Sequence, residues 1–141
     1  MNDNPSRARL AQRLIAIAAI AFGLVTVLAG GRVLGGADPG YVVFRPLLVF
    51  NTTMGVVYAA AGILTWRSVV LGKRASLAIF VLNLLVLAGI GYVFAAGGAV
   101  AVESLRAMAF RTGLWLILFL GLAWLARRSG PGEADVITRR A

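Results

Sequence analysis

Asn51, Tyr58, Asn83 and Arg111 stand inside otherwise apolar stretches of this sequence. Amides, a phenol and a guanidinium can share hydrogen bonds, hold an anion or line a polar path, and in hydrocarbon each needs a partner. General acid–base work near neutral pH is beyond them alone. The chain has no His and no Cys, which removes a His base, thiol redox chemistry, disulfides, His-ligated haem and Cys or His zinc sites. Its five acids, Asp3, Asp38, Glu103, Glu133 and Asp135, fall outside the apolar stretches, so no membrane-embedded carboxylate is available to carry protons. No catalytic residue, cofactor site or metal site is expected.

The elements that must position those four residues follow from composition. Of 141 residues, 60% are hydrophobic and only 13% charged, and the mean hydropathy is +0.89. A soluble core of this size cannot hide so many apolar side chains, and lipid must take up the excess. Roughly 20 apolar residues cross a hydrocarbon core of about 30 Å. Four stretches qualify, near residues 14–31, 47–66, 75–94 and 107–126. Helices alone satisfy their own backbone groups there. The sequence therefore predicts an all-α, four-helix transmembrane bundle with short connections, as one domain over 14–126 between polar tails at 1–13 and 127–141.

Charge placement orients this bundle. The net charge of +9 flanks the apolar spans, which argues for a membrane surface and against nucleic acid. With the N-terminus inside, one face holds Arg7, Arg9, Arg13, Arg67, Lys73, Arg74, Arg127, Arg128, Arg139 and Arg140. The opposite face holds Arg32, Arg45, Arg106 and Arg111. That bias predicts both termini in the cytoplasm, with anionic lipid headgroups as the basic face's partner. A cleaved signal peptide is the competing reading of the first span, but its apolar run exceeds the usual length of about 7 to 15 residues.

The connections are simple. Pro and Gly in the two tails should break any long helix there. "GRVLGGADPGYVVFRP" is Gly-rich and ends at Pro46, which suits the first turn of a helix; no phosphate-loop pattern follows its glycines. "RSVVLGKR" reads as a short basic connection. "AAGGAVAVESLR" should turn at Gly97 and Gly98 and begin a helix near Glu103.

Small and polar residues recur at helical spacing. Asn51, Gly55, Tyr58 and Gly62 share one stripe, and Ala16, Ala19, Gly23, Thr26 and Gly30 form another. Such stripes let membrane helices approach closely, so Gly23, Gly30, Gly55 and Gly62 are expected at packing faces. Depth supplies partners. Tyr58 lies eight residues before Trp66 and Asn83 eight after Ala75, a common depth of roughly 12 Å. Asn51 and Arg111 lie four residues inside their spans, at roughly 6 Å. Thr112 to Ala126 is too short to span unaided, so Arg111 must enter the membrane: snorkelling to lipid, bonding to Asn51 or Thr52, or holding an anion.

The stretches "VVFNTTMGVVYAAAGILTWR" and "ESLRAMAFRTGLWLI" are similar to patterns in small four-helix bacterial membrane proteins without an assigned activity, which implies a bacterial inner membrane. Small multidrug exchangers share this length but carry a Glu in helix one, where this chain is apolar or small from Leu14 to Gly31. Small fluoride channels carry a Gly-Gly-x-x-Gly-Ala-x-x-Arg signature that is missing here. The expected function is a non-enzymatic accessory or scaffold that packs against itself or a larger membrane partner. The alternative is a small transporter or channel whose polar path is lined by Asn51, Tyr58, Asn83 and Arg111. The topology is directly testable: a reporter active only in the cytoplasm should work when fused after Ala141 and fail when inserted near Asp38. Activity at Asp38 would reverse the orientation.

Overall fold

A computed structural model describes residues 5–128. They form four helices and, among the described residues, no strand: α1 (Pro5–Leu34), α2 (Arg45–Arg67), α3 (Val69–Ala95) and α4 (Val102–Arg128). Each is long and apolar enough to cross a membrane. Large aliphatic side chains such as Leu28, Leu85 and Ile117 point outward, about two-thirds exposed, as a lipid-solvated surface requires. Arg139 and Arg140, with the rest of the chain past Arg128, lie outside the described residues, as do residues 1–4.

All four helices outrun the predicted spans. Hydropathy marks the hydrocarbon core, whereas backbone hydrogen bonding continues into the interfacial zone wherever polar residues such as Gln12, Arg13 and Ser104 accept a helical conformation. The expectation that Pro would break a helix in the first tail is corrected at Pro5, which opens α1. Proline's missing N–H costs nothing in a first turn. Pro46 plays the same part in α2.

Helix ends follow recognisable chemistry. α1 ends in a Schellman turn, with Ala37 N–H donating to Arg32 O at 3.0 Å and Gly36 N–H to Val33 O at 3.1 Å. α3 ends likewise, through Gly98 N–H to Val93 O at 2.8 Å and Gly97 N–H to Phe94 O at 3.0 Å. The pivots, Gly36 and Gly97, have φ of 102° and 79°, a region costly for any residue with a Cβ.

The connection expected over "RSVVLGKR" is instead one residue. Ser68 is extended, with φ −154° and ψ 126°, and α3 resumes at Val69. Its backbone N–H donates to Leu64 O at 2.9 Å, and its hydroxyl accepts from Leu71 N–H at 3.4 Å. From α1, Gln12 Nε2 donates to Thr65 O at 2.8 Å and Trp66 O at 3.4 Å, so carbonyls left open at the end of α2 are answered by another helix. Gly72 makes the sharp reversal possible, because a Cβ there would strike the Thr65 side chain and backbone.

The chain packs chiefly as α1 on α2 and α3 on α4, with α2 and α3 joining the two pairs. Along α1 and α2 the backbones nearly touch. A Cβ on Gly23 would lie 2.6 Å from Gly55 O, one on Gly55 2.9 Å from Gly23 O, and one on Gly62 2.8 Å from Ala16 O. One on Gly30 would collide with the Thr52 hydroxyl. The threonines add no unmet donors here: Thr26, Thr52, Thr65 and Thr112 each donate to the carbonyl four residues earlier, at 2.8 to 2.9 Å. Replacing Gly23 or Gly55 with Leu should therefore cost about 1–3 kcal/mol or more. Val56→Leu should be silent, because Val56 is 62% exposed. Detergent melting curves would check this, and equal losses at all three positions would mean that the close approach contributes nothing.

Candidate functional site

The polar residues fall into two clusters at different levels. In the first, all four helices meet at one side chain. Tyr58 of α2 donates from Oη to Asn83 Oδ1 of α3 at 3.0 Å. Its ring stacks on Phe22 of α1, with centroids 5.6 Å apart and planes 29° apart. It also meets Trp115 of α4, with centroids 5.0 Å apart and planes tilted by 40°. Tyr58, Asn83 and Trp115 are all fully buried. Asn83 Nδ2 and Trp115 Nε1 are buried without a hydrogen-bond partner.

The Tyr58–Asn83 contact is not the equal-depth match that residue counting from Trp66 and Ala75 suggests. From the reversal at Ser68, Tyr58 is ten residues back and Asn83 fifteen on, which are roughly 15 and 22 Å of helix rise. The difference of about 7 Å is bridged because helical side chains lean toward their own N-terminus. Tyr58 leans away from the reversal and Asn83 leans back toward it, so the two tips converge.

The second cluster lines a cavity of about 130 Å³ at the end of the bundle that bears residues 35–44 and 96–101. Asn51 and Arg111 both line it, beside Thr26, Tyr41 and Ser104. Asn51 is 9% exposed, and its Oδ1 is buried without a partner, as is Arg111 Nε. The two residues share the cavity, yet no hydrogen bond joins them. The Thr52 hydroxyl donates to Leu48 O at 2.8 Å. Arg111 is half-buried and lines this partly open cavity.

One helical turn inward from this cavity, Phe22, Met54 and Trp115 belong to the apolar core. They pack with Tyr58 in that core, and neither Tyr58 nor Asn83 lines the cavity of Asn51 and Arg111. Gly23, Gly30, Gly55 and Gly62 lie on the α1–α2 contact. The groups are neutral amides, phenol and indole apart from Arg111, a set suited to hydrogen bonding and anion contact. Among the described residues, no group of His, Cys, Asp or Glu could hold a metal ion.

Sequence reasoning missed Trp115, Phe22 and Gly72. Trp115 does fall on a regular stripe with Met108, Thr112, Leu118, Leu122 and Leu125, the buried face of α4. A large apolar residue among apolar neighbours gives no hint of which face turns inward. Gly72 carried a signal in its position, four residues after Ser68, but only a known reversal makes that meaningful. No protein family, no curated protein and no solved structure matches this chain.

The first cluster yields a quantitative test. Tyr58→Phe removes one hydroxyl and leaves Asn83 buried with less than it needs, an expected loss of about 1–2 kcal/mol. A double-mutant cycle with Asn83→Leu should show coupling of order 1 kcal/mol, while either change should simply add to the distant Gly72→Ala. Additivity of Tyr58→Phe and Asn83→Leu would mean that their bond is energetically idle.

Proposed function

We propose that this chain is a non-enzymatic, multi-pass protein of a bacterial inner membrane, with both termini in the cytoplasm, acting as an accessory or scaffold that packs against itself or a larger membrane protein. The observation that carries this reading is the complete burial of Tyr58 and Asn83, neither of which lines the cavity at Asn51 and Arg111. It argues against a path for solute through the single chain.

The outer surface supports the same reading. α3 is the least covered span, with 17% of its most apolar window buried. Near its end Gly89 has nothing within 4 Å of where a Cβ would stand, beside an exposed Ala88. A second helix could approach closely there, as α1 approaches α2. The orientation rests on charge: Arg13, Arg67, Lys73, Arg74, Arg127 and Arg128 gather at one end of the described helices, against Arg32, Arg45, Arg106 and Arg111 toward the other. Arg13 lies over the Trp66 ring at 5.6 Å and Arg128 over Trp124 at 3.8 Å, a pairing of cations and aromatic rings suited to an interface facing anionic headgroups.

The alternative, a transporter or channel, is favoured by one observation, the polar cavity at Asn51 and Arg111. Two measurements separate the readings. Native mass spectrometry should find a stoichiometric homo-oligomer or co-purified membrane protein, lost in Gly89→Leu without a lower melting temperature, because nothing within the chain packs at that glycine. Proteoliposomes should show no selective flux. Saturable flux abolished by Asn83→Leu would defeat the accessory reading.

A further inference from the structure

The cavity at Asn51 and Arg111 has features that the packing of four helices does not require. Arg111 is a guanidinium placed in a membrane bundle, and no acidic residue lines the space around it. Its Nε is buried and unpartnered. A permanent cation in that position is stabilised by an anion held close, and the planar fork of guanidinium suits an oxyanion better than any other side chain would. Opposite in character, Asn51 presents a buried Oδ1 with no donor directed at it. Both residues border the cavity, so a cation and an unmet neutral acceptor stand together in its wall.

Size and wall chemistry narrow the occupant. About 130 Å³ is well below the roughly 300 Å³ at which pockets for drug-sized ligands begin. It suits a headgroup-sized moiety. Part of the wall is apolar, through Val33, Val43 and Leu48, and Ala29 and Tyr41 of the lining are exposed on the bundle's outer surface. A molecule with a charged head and an apolar neighbour would meet both kinds of surface.

We propose that this cavity binds a phosphate-type oxyanion bearing an adjacent hydroxyl or ammonium group, with Arg111 holding the anion and Asn51 Oδ1 accepting from the donor beside it. That chemistry is shared by a glycerophosphate or phosphoethanolamine lipid headgroup and by a small soluble phosphoester. The donor is part of the specification: a phosphate whose substituent carries no N–H or O–H leaves Asn51 Oδ1 unmet. The site is independent of whether the protein acts as a scaffold, because it needs no second chain.

The test uses the full-length protein in a neutral detergent, with melting temperature as the readout. Three probes divide the possibilities: dihexanoyl phosphatidylglycerol, dihexanoyl phosphatidylcholine and glycerol 1-phosphate. A ligand bound only by the folded state at a hundredfold excess over its Kd should raise Tm saturably by about 5 °C or more. The phosphatidylglycerol should do so and the phosphatidylcholine, which has the phosphate without the donor, should not. An equal rise with glycerol 1-phosphate assigns the site to soluble phosphoesters; a rise with the lipid alone assigns it to a headgroup. Arg111→Gln should abolish the effect, and Ala107→Phe should do the same by filling the cavity while the cation stays. Arg32→Gln and Arg45→Gln, which remove charges near the same end but outside the cavity lining, should keep it.

Equal shifts with the choline and glycerol lipids, persistence in Ala107→Phe, or loss in Arg32→Gln would overturn the proposal. So would strong coupling between Asn51→Leu and Arg111→Gln in ligand-free protein together with no response to any probe, since the two side chains would then be satisfying each other. Should Arg111→Gln fail to fold, the contrast between the two lipids on the native chain still decides.

Discussion

Helices in a bilayer gain nothing hydrophobic by exchanging lipid for one another, so their association depends on how closely their backbones can come. In this chain that constraint is met first between α1 and α2. At Gly23, Gly55 and Gly62 each backbone occupies the space where the other would have put a side chain. The contact runs from Gln12 against the last carbonyls of α2 to Gly30 against Thr52. It brings Phe22 onto the ring of Tyr58, and Tyr58 then has a fixed position from which to reach Asn83 and Trp115. One close approach between two helices is thereby passed to the other two through a single aromatic side chain.

How much of this was legible depended on contrast. Four apolar runs stand out from polar flanks, so the helices and their number are readable from hydropathy. A glycine or an asparagine stands out within an apolar run, so the stripes containing Gly23, Gly55, Tyr58 and Asn83 are readable too. Trp115 and Phe22 are apolar among apolar residues, and no periodicity distinguishes an inward ring from a lipid-facing one such as Trp124, which is half exposed. Ser68 shows the opposite failure: "RSVVLGKR" looks like a polar loop because its charges suit an interface, yet helical hydrogen bonding runs through all of it except one residue. The cavity was illegible in principle, since its volume depends on how far α1, α2 and α4 splay apart near their ends.

The two polar clusters illustrate different uses of polarity in an apolar surrounding. Around Tyr58 and Asn83 the groups are neutral, enclosed and held by aromatic stacking, an arrangement that rewards one packing over its near competitors. Asn51 and Arg111 instead border a cavity, with a formal charge among them and no carboxylate in the lining. The threonines between and beside them are silent in this respect, each closed on its own helix. Polarity within the spans is thus concentrated at a few atoms instead of being spread along a channel.

The one-residue corner at Ser68 also bears on how the chain enters a membrane. Ten residues separate α1 from α2 and six separate α3 from α4. Between α2 and α3 there is no such slack. A single extended residue holds the ends of α2 and α3 side by side, so in a bilayer the two form one helical hairpin whose corner lies at a single face. Arg67, Lys73 and Arg74 sit at that corner, and their charge is the cargo that would have to cross if the hairpin were inverted.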